Sequence, residues 1–382
     1  MLQNEKLESY MQYCCKLAKL GQGKTKTNPI VGAVLVNKIG DIIAEGYHKE
    51  YGGLHAELEA ISNAKQKGIT DFSALTLIVT LEPCSHYGKQ PPCTNAIIET
   101  GIKNVVVGIE DPNPKVNGEG IKLLKKVGIN VKVGVGREIC ANLIADYIFY
   151  IKNKMPYITL KIAQSIDGFI ARKNNDSALE KYLTSEEARR EVHKIRSYTS
   201  VLVGINTIIA DDPLLDCRLV DKEIFPQNIV ILDSNLRIPL YSKIFNAKAS
   251  HRKILIAYNE KLDESLTETQ QKKEKLEEKG AILIKSSIKN NKIDLEKLLS
   301  ILATKYEIPH ILVEGGGEIF SSFINAKLVN KLVIHTAPII ISDGIKAFPN
   351  VDAVIFNNML SKSNIETKLC GKDIISMFYI PR

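Results

Sequence analysis

No run of about 18 or more residues stays apolar, so no segment has the length a membrane-spanning helix requires. The opening residues, MLQNEKLESYMQYCCKLAKLGQGK, lack an apolar core between a basic flank and a small-residue cleavage site, which argues against a secretory signal. A soluble protein of the cytoplasm, without a membrane partner, is therefore expected. Low-complexity tracts are missing as well, and 45% hydrophobic with 25% charged residues sets aside the disordered and fibrous classes. The cysteines are seven, an odd number, scattered as Cys14, Cys15, Cys84, Cys93, Cys140, Cys217 and Cys370. That argues against a disulfide framework and for reduced thiols, some of them available to a metal. No Arg/Lys block alternates with aromatics, so nucleic acid is not expected as a partner. The net charge of +8 also suits phosphorylated small molecules.

What is present is a chain of 382 residues, the length of two ordinary domains that each bury a core. The first part alternates helical periodicity, beginning with residues 5 to 20, with the apolar runs IVGAVLV, LTLIVT, NVVVGI and INVKVGV, a pattern that predicts an α/β sandwich. NGEGIKLLKKVGINVKVGV reads as a helix opened and stopped by glycine, then a strand. A further helix is predicted from about Arg137 to Tyr150, before Pro156. A new strand-led pattern starts at YITLKIAQSIDGFIA, which places the boundary within 147 to 156 and the two domains at 1–148 and 156–382. In the second, Thr184 to Glu187 carries a capping-box signature for a helix reaching about Arg196. SVLVGI, NIVILD, KILIAY and HILV read as short buried strands of a second α/β domain, and Lys261 to Lys279 as a solvated surface helix.

Chemistry concentrates in HAE (His55, Ala56, Glu57) and PCSHYGKQPPC, which holds Cys84 and Cys93. An imidazole and two thiolates suit Zn²⁺ and leave a fourth tetrahedral position open, the mark of a catalytic site. Glu57 stands where a carboxylate can take a proton from the activated water and return it to a leaving amine. This is the role of the glutamate in the H-x-E and P-C-x-x-C signature of zinc nucleobase deaminases. Here eight residues rather than two separate the cysteines, so the loop SHYGKQPP has a task of its own. Taken singly, His55 is as readily a core or surface histidine and each cysteine a small buried hydrophobe. In the second half, GGGEIF from Gly315 follows the apolar run HILV as a strand-to-helix turn that lets backbone N–H groups approach a phosphate. It lacks the G-x-G-x-x-G spacing, which disfavours a Rossmann site, and a tight turn with glycines for close packing is the other reading.

The spaced cysteine pair resembles the deaminase domain of the bifunctional riboflavin-biosynthesis deaminase/reductases. The resemblance extends through TNPIVGAVLV, GYHKEYGGLHAE, EDPNPKVNGEGI, TLKIAQSIDGFIA, TSEEARREVHKIR, ADDPLL, LDSNLRIP and LVEGGGEIFSSFI. It implies a cytidine-deaminase-like α/β/α sandwich followed by a dihydrofolate-reductase-like α/β domain, with Zn²⁺ and NADPH as cofactors. The first domain would hydrolyse the 2-amino group of a 2,5-diamino-6-(5-phosphoribosylamino)pyrimidin-4-one. The second would then reduce the ribosyl group of the product to ribityl. Carried over position by position, Asn28, His48, Lys89, Asp111 and Asn113 hold the pyrimidine or its phosphate. Ala163, Tyr182, Thr207, Asp211, Ser234 and the run Gly316, Gly317, Glu318, Ile319, Phe320, Ser321 and Ser322 contact NADPH. Ser177, Arg196, Leu214, Arg218 and Glu314 hold the phosphosugar, and a homo-oligomer is implied.

The chain departs from the family at DSALEKYLTS, where Tyr182 stands in an aromatic place usually held by tryptophan. Gln90 and Thr27 likewise replace a frequent threonine and proline. Read from the residues alone, Arg196 also suits the end of its helix, Arg218 a surface, and Asp211 to Pro213 a turn. Two other functions compete. A nucleic-acid-editing deaminase is suggested by H-x-E with positive charge, and a nucleotide-binding regulator by the altered segment at 176 to 183.

Overall fold

The structure is a computed structural model that describes residues 4–88, 90–114, 116–173, 182–221, 228–246, 252–262 and 267–381. The chain divides into two compact units, Met1–Lys154 and Met155–Arg382. Among the described residues no helix is long and apolar enough to cross a membrane. All seven cysteines are free thiols.

The first unit runs α1 (Asn4–Ala18), β1 (Gly32–Val36), β2 (Ile42–Tyr47), α2 (Ala56–Gln66), β3 (Thr76–Leu81), α3 (Cys93–Glu99), β4 (Asn104–Ile109), α4 (Glu119–Lys126), β5 (Asn130–Val133), α5 (Arg137–Leu143) and α6 (Ala145–Asn153). Its sheet has the order β2-β1-β3-β4-β5, with β1 antiparallel to both neighbours and β3, β4 and β5 parallel. Because side chains alternate across a strand, GAVLV divides between two cores. Val34 and Val36 pack with Ile78 and Val106 beneath α1 and α5, while Ala33 and Leu35 pack with Leu77, Val79, Val105 and Val107 beneath α2, α3 and α4. This is an α/β/α sandwich whose inner strands are covered on both faces, the reason they read as unbroken apolar runs.

One detail departs from expectation. The helix predicted from Arg137 to Tyr150 is two helices, because Ile144 leaves helical geometry (φ −119°, ψ 30°) and buries its side chain. Periodicity does not register a one-residue break. The division of the chain falls after Lys154, with α6 whole in the first unit.

The second unit runs β6 (Tyr157–Ser165), β7 (Phe169–Arg172), α7 (Glu186–Arg196), β8 (Ser200–Gly204), α8 (Ile205–Asp211), β9 (Asn228–Leu232), β10 (Lys253–Asn259), α9 (Thr267–Glu278), β11 (Ala281–Ser286), β12 (Ile288–Lys289), β13 (Lys292–Ile293), α10 (Leu295–Thr304), β14 (His310–Val313), α11 (Gly317–Asn325), β15 (Lys331–Ala337), β16 (Gly344–Lys346), α12 (Ala353–Leu360), β17 (Asn364–Cys370) and β18 (Asp373–Tyr379). The main sheet is ordered β11-β10-β9-β8-β14-β6-β15-β18-β17, parallel except for its last two pairings. One core lies between the sheet and α10 and α11, the other beneath α7, α8 and α9. Helix α9 buries only Leu276, which fits a solvated surface helix.

The cap of α7 is Ser185, not Thr184. The Ser185 Oγ accepts from Ala188 N at 3.3 Å, and Asp373, far away in sequence, accepts from both the Ser185 amide and hydroxyl at 2.7 and 2.6 Å. That distant carboxylate fixes which of two adjacent hydroxyl residues closes the helix.

Candidate active site

Three loops at one edge of the first sheet converge. His55 is the N-cap of α2 in an extended conformation (φ −72°, ψ 160°), Cys84 follows β3, and Cys93 opens α3. Cys84 Sγ lies 3.5 Å from His55 Nδ1 and 3.5 Å from Cys93 Sγ, and Cys93 Sγ lies 3.2 Å from His55 Nδ1. A tetrahedral zinc with bonds of about 2.3 Å to sulfur and about 2.1 Å to nitrogen has ligand-to-ligand edges of roughly 3.5 Å, so the donor set fits that ion. Among the described residues the cluster comprises these three side chains; His86 lines the adjoining cavity without joining it. The backbone amide of Cys93 donates to Cys84 Sγ at 3.4 Å, a contact that favours the thiolate.

Glu57 sits in the first turn of α2 and is only 3% exposed. Burial pushes its carboxyl up to about 7, against the neighbouring imidazole, which favours the ionised form.

The cavity beside the cluster has a volume of about 290 Å³ and brings together Asn28, His48, Asp111 and Asn113 with His55, Glu57 and Cys84. His48 Nδ1 bonds to the Leu54 carbonyl at 2.9 Å, so that nitrogen carries the proton and Nε2 faces Asn28 Nδ2 at 3.5 Å as an acceptor. Burial holds His48 below its ordinary range, in the neutral form. Lys89 lies outside the described residues. Its loop is tied by Gln90 Nε2, which donates to the Gly52 carbonyl at 2.9 Å.

Two residues that the sequence reading did not single out complete this pocket. Glu82 is buried, and its two oxygens accept from four backbone amides, Asp111 and Gly118 at 3.0 and 2.9 Å and Gly120 and Ile121 at 2.9 and 3.3 Å. It anchors the loop that carries Asp111 and Asn113. Gly120 is required there, since a Cβ at that position would lie 2.1 Å from the Pro83 carbonyl oxygen. Tyr147, from α6, donates to Asp111 Oδ1 at 3.1 Å. Glu82 stands two residues before Cys84 and could have been noticed; nothing local marks Tyr147.

In the second unit the carboxyl ends of four adjacent parallel strands gather most of the expected cofactor contacts, the edge at which open α/β sheets bind ligands. Ala163 lies near the end of β6, Thr207 in the first turn of α8 after β8, Ser234 just past β9, and Gly316 caps α11 after β14. A Cβ at Gly315 (φ 137°) would lie 3.1 Å from Thr207 Oγ1, and one at Gly204 would lie 3.0 Å from Ile319, so the β8 and β14 turns abut. Asp211, one turn beyond Thr207, is exposed.

Not every expected side chain faces that edge. Phe320 belongs to the core, and the Ser321 hydroxyl bonds to the carbonyls of Gly317 and Pro349. Helical periodicity turns these two inward while Glu318 and Ser322 stay outside. Tyr182 is 40% exposed, with the Arg189 guanidinium 4.1 Å from its ring centroid. Ser177 lies outside the described residues. Arg196 and Glu314 form an ion pair, Arg218 pairs with Asp216, and the Leu214 carbonyl accepts from Arg252 at 2.9 Å. Lys161, unremarked in the apolar run ITLKIA, lies near this pair, and burial pushes its ammonium down to about 8.

Residues 4–109 match the cytidine and deoxycytidylate deaminase zinc-binding region, and residues 156–366 match the RibD C-terminal domain. The riboflavin biosynthesis protein RibD of Aquifex aeolicus is 42% identical over 373 residues, 97% of this chain and 98% of its own. That of Actinobacillus pleuropneumoniae is 35% identical over 96% of this chain and 93% of its own. Among solved structures, Acinetobacter baumannii RibD superposes with a TM-score of 0.80 at 30% identity, covering 100% of both chains. A Thermotoga maritima protein described as a diaminohydroxyphosphoribosylaminopyrimidine deaminase/5-amino-6-(5-phosphoribosylamino)uracil reductase does so at 0.80 with 32% identity and 99% of both chains. With a zinc-binding deaminase region and a reductase domain in one chain, Zn²⁺ and NADPH are the cofactors. The chain belongs to the RibD family of riboflavin biosynthesis, in which a deaminase and a reductase are fused.

Proposed function

We propose that the first unit deaminates 2,5-diamino-6-(5-phosphoribosylamino)pyrimidin-4-one to 5-amino-6-(5-phosphoribosylamino)uracil, and that the second reduces the ribosyl group of that product with NADPH. The observation that carries the reading is the His55, Cys84 and Cys93 cluster opening on the cavity that holds buried Glu57. When bound by these three side chains, zinc supplies Lewis-acid activation of water near neutral pH. Glu57 accepts the proton and returns it to the departing amine. Asn28, whose side-chain amide meets the neutral His48, faces the polar edge of the ring, Asp111 and Asn113 close the other side, and Lys89 takes the phosphate.

In the second unit the first turn of α11 offers backbone amides to NADPH phosphates, with Thr207, Ser234, Ala163, Asp211 and Tyr182 as further contacts to the cofactor. Hydride transfer needs alignment of the cofactor more than acid chemistry. Arg196, Arg218, Glu314, Leu214 and Ser177 receive the phosphosugar. The working form is a soluble cytoplasmic homo-oligomer that binds neither nucleic acid nor membrane.

The test measures ammonia release and NADPH oxidation in parallel for wild type and Glu57→Gln, with zinc content checked in both. The variant is expected to keep zinc, to lose ammonia release by about 10²-fold or more, and to oxidise NADPH only when deaminated intermediate is supplied. A zinc-loaded wild type that releases no ammonia from the diaminopyrimidine nucleotide would overturn the substrate assignment.

A further inference from the structure

Helix α6 contributes one polar group to the first cavity. Tyr147 is 8% exposed, its ring packed in the core formed with α1 and α5, yet its hydroxyl reaches the pocket wall. The hydroxyl donates to Asp111 Oδ1 at 3.1 Å and is itself hydrogen-bonded by the Asn113 side chain. The Asn113 amide donates to the same Oδ1 at 2.9 Å. Behind them Glu82 holds the Asp111 amide at 3.0 Å, so the backbone is fixed and only the carboxyl torsion remains to be set.

Both restraints on the Asp111 carboxylate, the Tyr147 hydroxyl and the Asn113 backbone N–H, thus fall on one oxygen. A carboxylate has two oxygens with about four acceptor positions between them. Two donors on Oδ1 fix the plane of the group and leave Oδ2 for a ligand in the cavity that Asp111 lines. Burial raises the Asp111 pKa, and the two donors, each of which favours the carboxylate, oppose that shift in part.

We infer that Tyr147 is a positioning residue of the deaminase pocket, fixing Asp111 and Asn113 through one shared hydroxyl so that Asp111 Oδ2 meets an N–H donor of the aminopyrimidine. The inference rests on the deaminase reading of this unit. Its chemistry specifies the group recognised: an exocyclic amine or ring-attached N–H, since a carboxylate oxygen accepts and does not donate.

Tyr147→Phe removes the hydroxyl and keeps the ring in the core, so packing and recognition separate. In the zinc-loaded full chain, the variant is expected to raise KM for the diaminopyrimidine nucleotide about tenfold with kcat within about twofold, the pattern of lost ground-state binding. Zinc content and NADPH oxidation on supplied intermediate should match wild type. Calorimetric titration of the same nucleotide in the Glu57→Gln background, with Tyr147→Phe, Asp111→Ala and both, reads the coupling. Tyr147→Phe should weaken binding about tenfold alone and less than about twofold once Asp111 is alanine.

Unchanged KM in Tyr147→Phe, loss of zinc or of reductase turnover, or a full effect persisting beside Asp111→Ala would each overturn the inference. A wild type that releases no ammonia removes the deaminase reading as well. Wild-type turnover with an unaltered Tyr147→Phe removes only the positioning role.

Discussion

Arg196 at the end of α7 and Glu314 just past β14 meet through two parallel hydrogen bonds, Nε to Oε1 and Nη2 to Oε2, each 2.6 Å long. The fork-to-fork geometry commits most of the guanidinium, and Nη1 goes on to the Asp216 carbonyl at 3.1 Å. The two residues proposed at the phosphosugar thus also hold each other, each 13% exposed.

The consequence is energetic. Glu314→Gln leaves a buried guanidinium without its counter-charge, at a cost of about 3 kcal/mol to the second unit. Urea unfolding followed by a probe in that unit should show this loss, while ammonia release by the first unit stays unchanged. A variant as stable as wild type would mean that the pair is dispensable.

Two neighbouring glycines at the start of α11 separate packing from ligand approach. A Cβ at Gly317 would lie 2.3 Å from Pro349 Cδ and 2.6 Å from the Lys346 carbonyl oxygen, whereas one at Gly316 meets nothing within 4 Å. Gly317→Ala is expected to destabilise by about 1 to 3 kcal/mol through overpacking. Gly316→Ala should leave stability within about 0.5 kcal/mol and, if the turn holds the cofactor as proposed, raise KM for NADPH, because the added methyl would project into that open space. Thermal melts paired with reductase kinetics distinguish the two.

His335 on β15 makes the second unit sensitive to acid. It is 1% exposed, and its ring nitrogens have no hydrogen-bond partner among the described residues. Burial first, and then the Lys161 ammonium, push its pKa down from 6.5 to about 3. The unfolded chain therefore binds a proton below pH 6.5 that the folded chain refuses until near pH 3, so stability falls as pH drops through that window. At pH 5 this one group costs about 2 kcal/mol relative to neutral pH. His335→Phe should flatten that part of the profile; urea midpoints at pH 7.5 and pH 5 that shift equally in both proteins would refute it.

Metal removal should divide the two activities. Chelation is expected to lower ammonia release by more than about 100-fold and to leave NADPH oxidation on supplied intermediate within about twofold, since the three ligands all belong to the first unit. Zn²⁺ should restore the first activity. Parallel loss of both would contradict the assignment of the metal to one unit.

The strands and the metal ligands were legible in order along the chain because they rest on local rules. Unbroken apolar runs mark β1, β3 and β4, and a His-x-Glu with a Pro-Cys after a strand needs no distant information to suggest a zinc site. The departures share one cause. The break at Ile144 and the choice of Ser185 over Thr184 as cap each depend on a partner elsewhere in the fold, and the inward packing of the Phe320 and Ser321 side chains has the same origin.

By itself the sequence determined the element types, the two-part organisation, the donor set for zinc and, through resemblance, the chemistry. Only the tertiary structure decided that Tyr147 and Glu82 complete the pocket, that Arg196 is engaged by Glu314, and that the His335 ring is buried with no hydrogen-bond partner among the described residues. Spacing along a chain encodes periodicity and local geometry. Which buried polar groups meet depends on loops and sheet edges joining residues 29, 36 and 118 positions apart, contacts that no local pattern records.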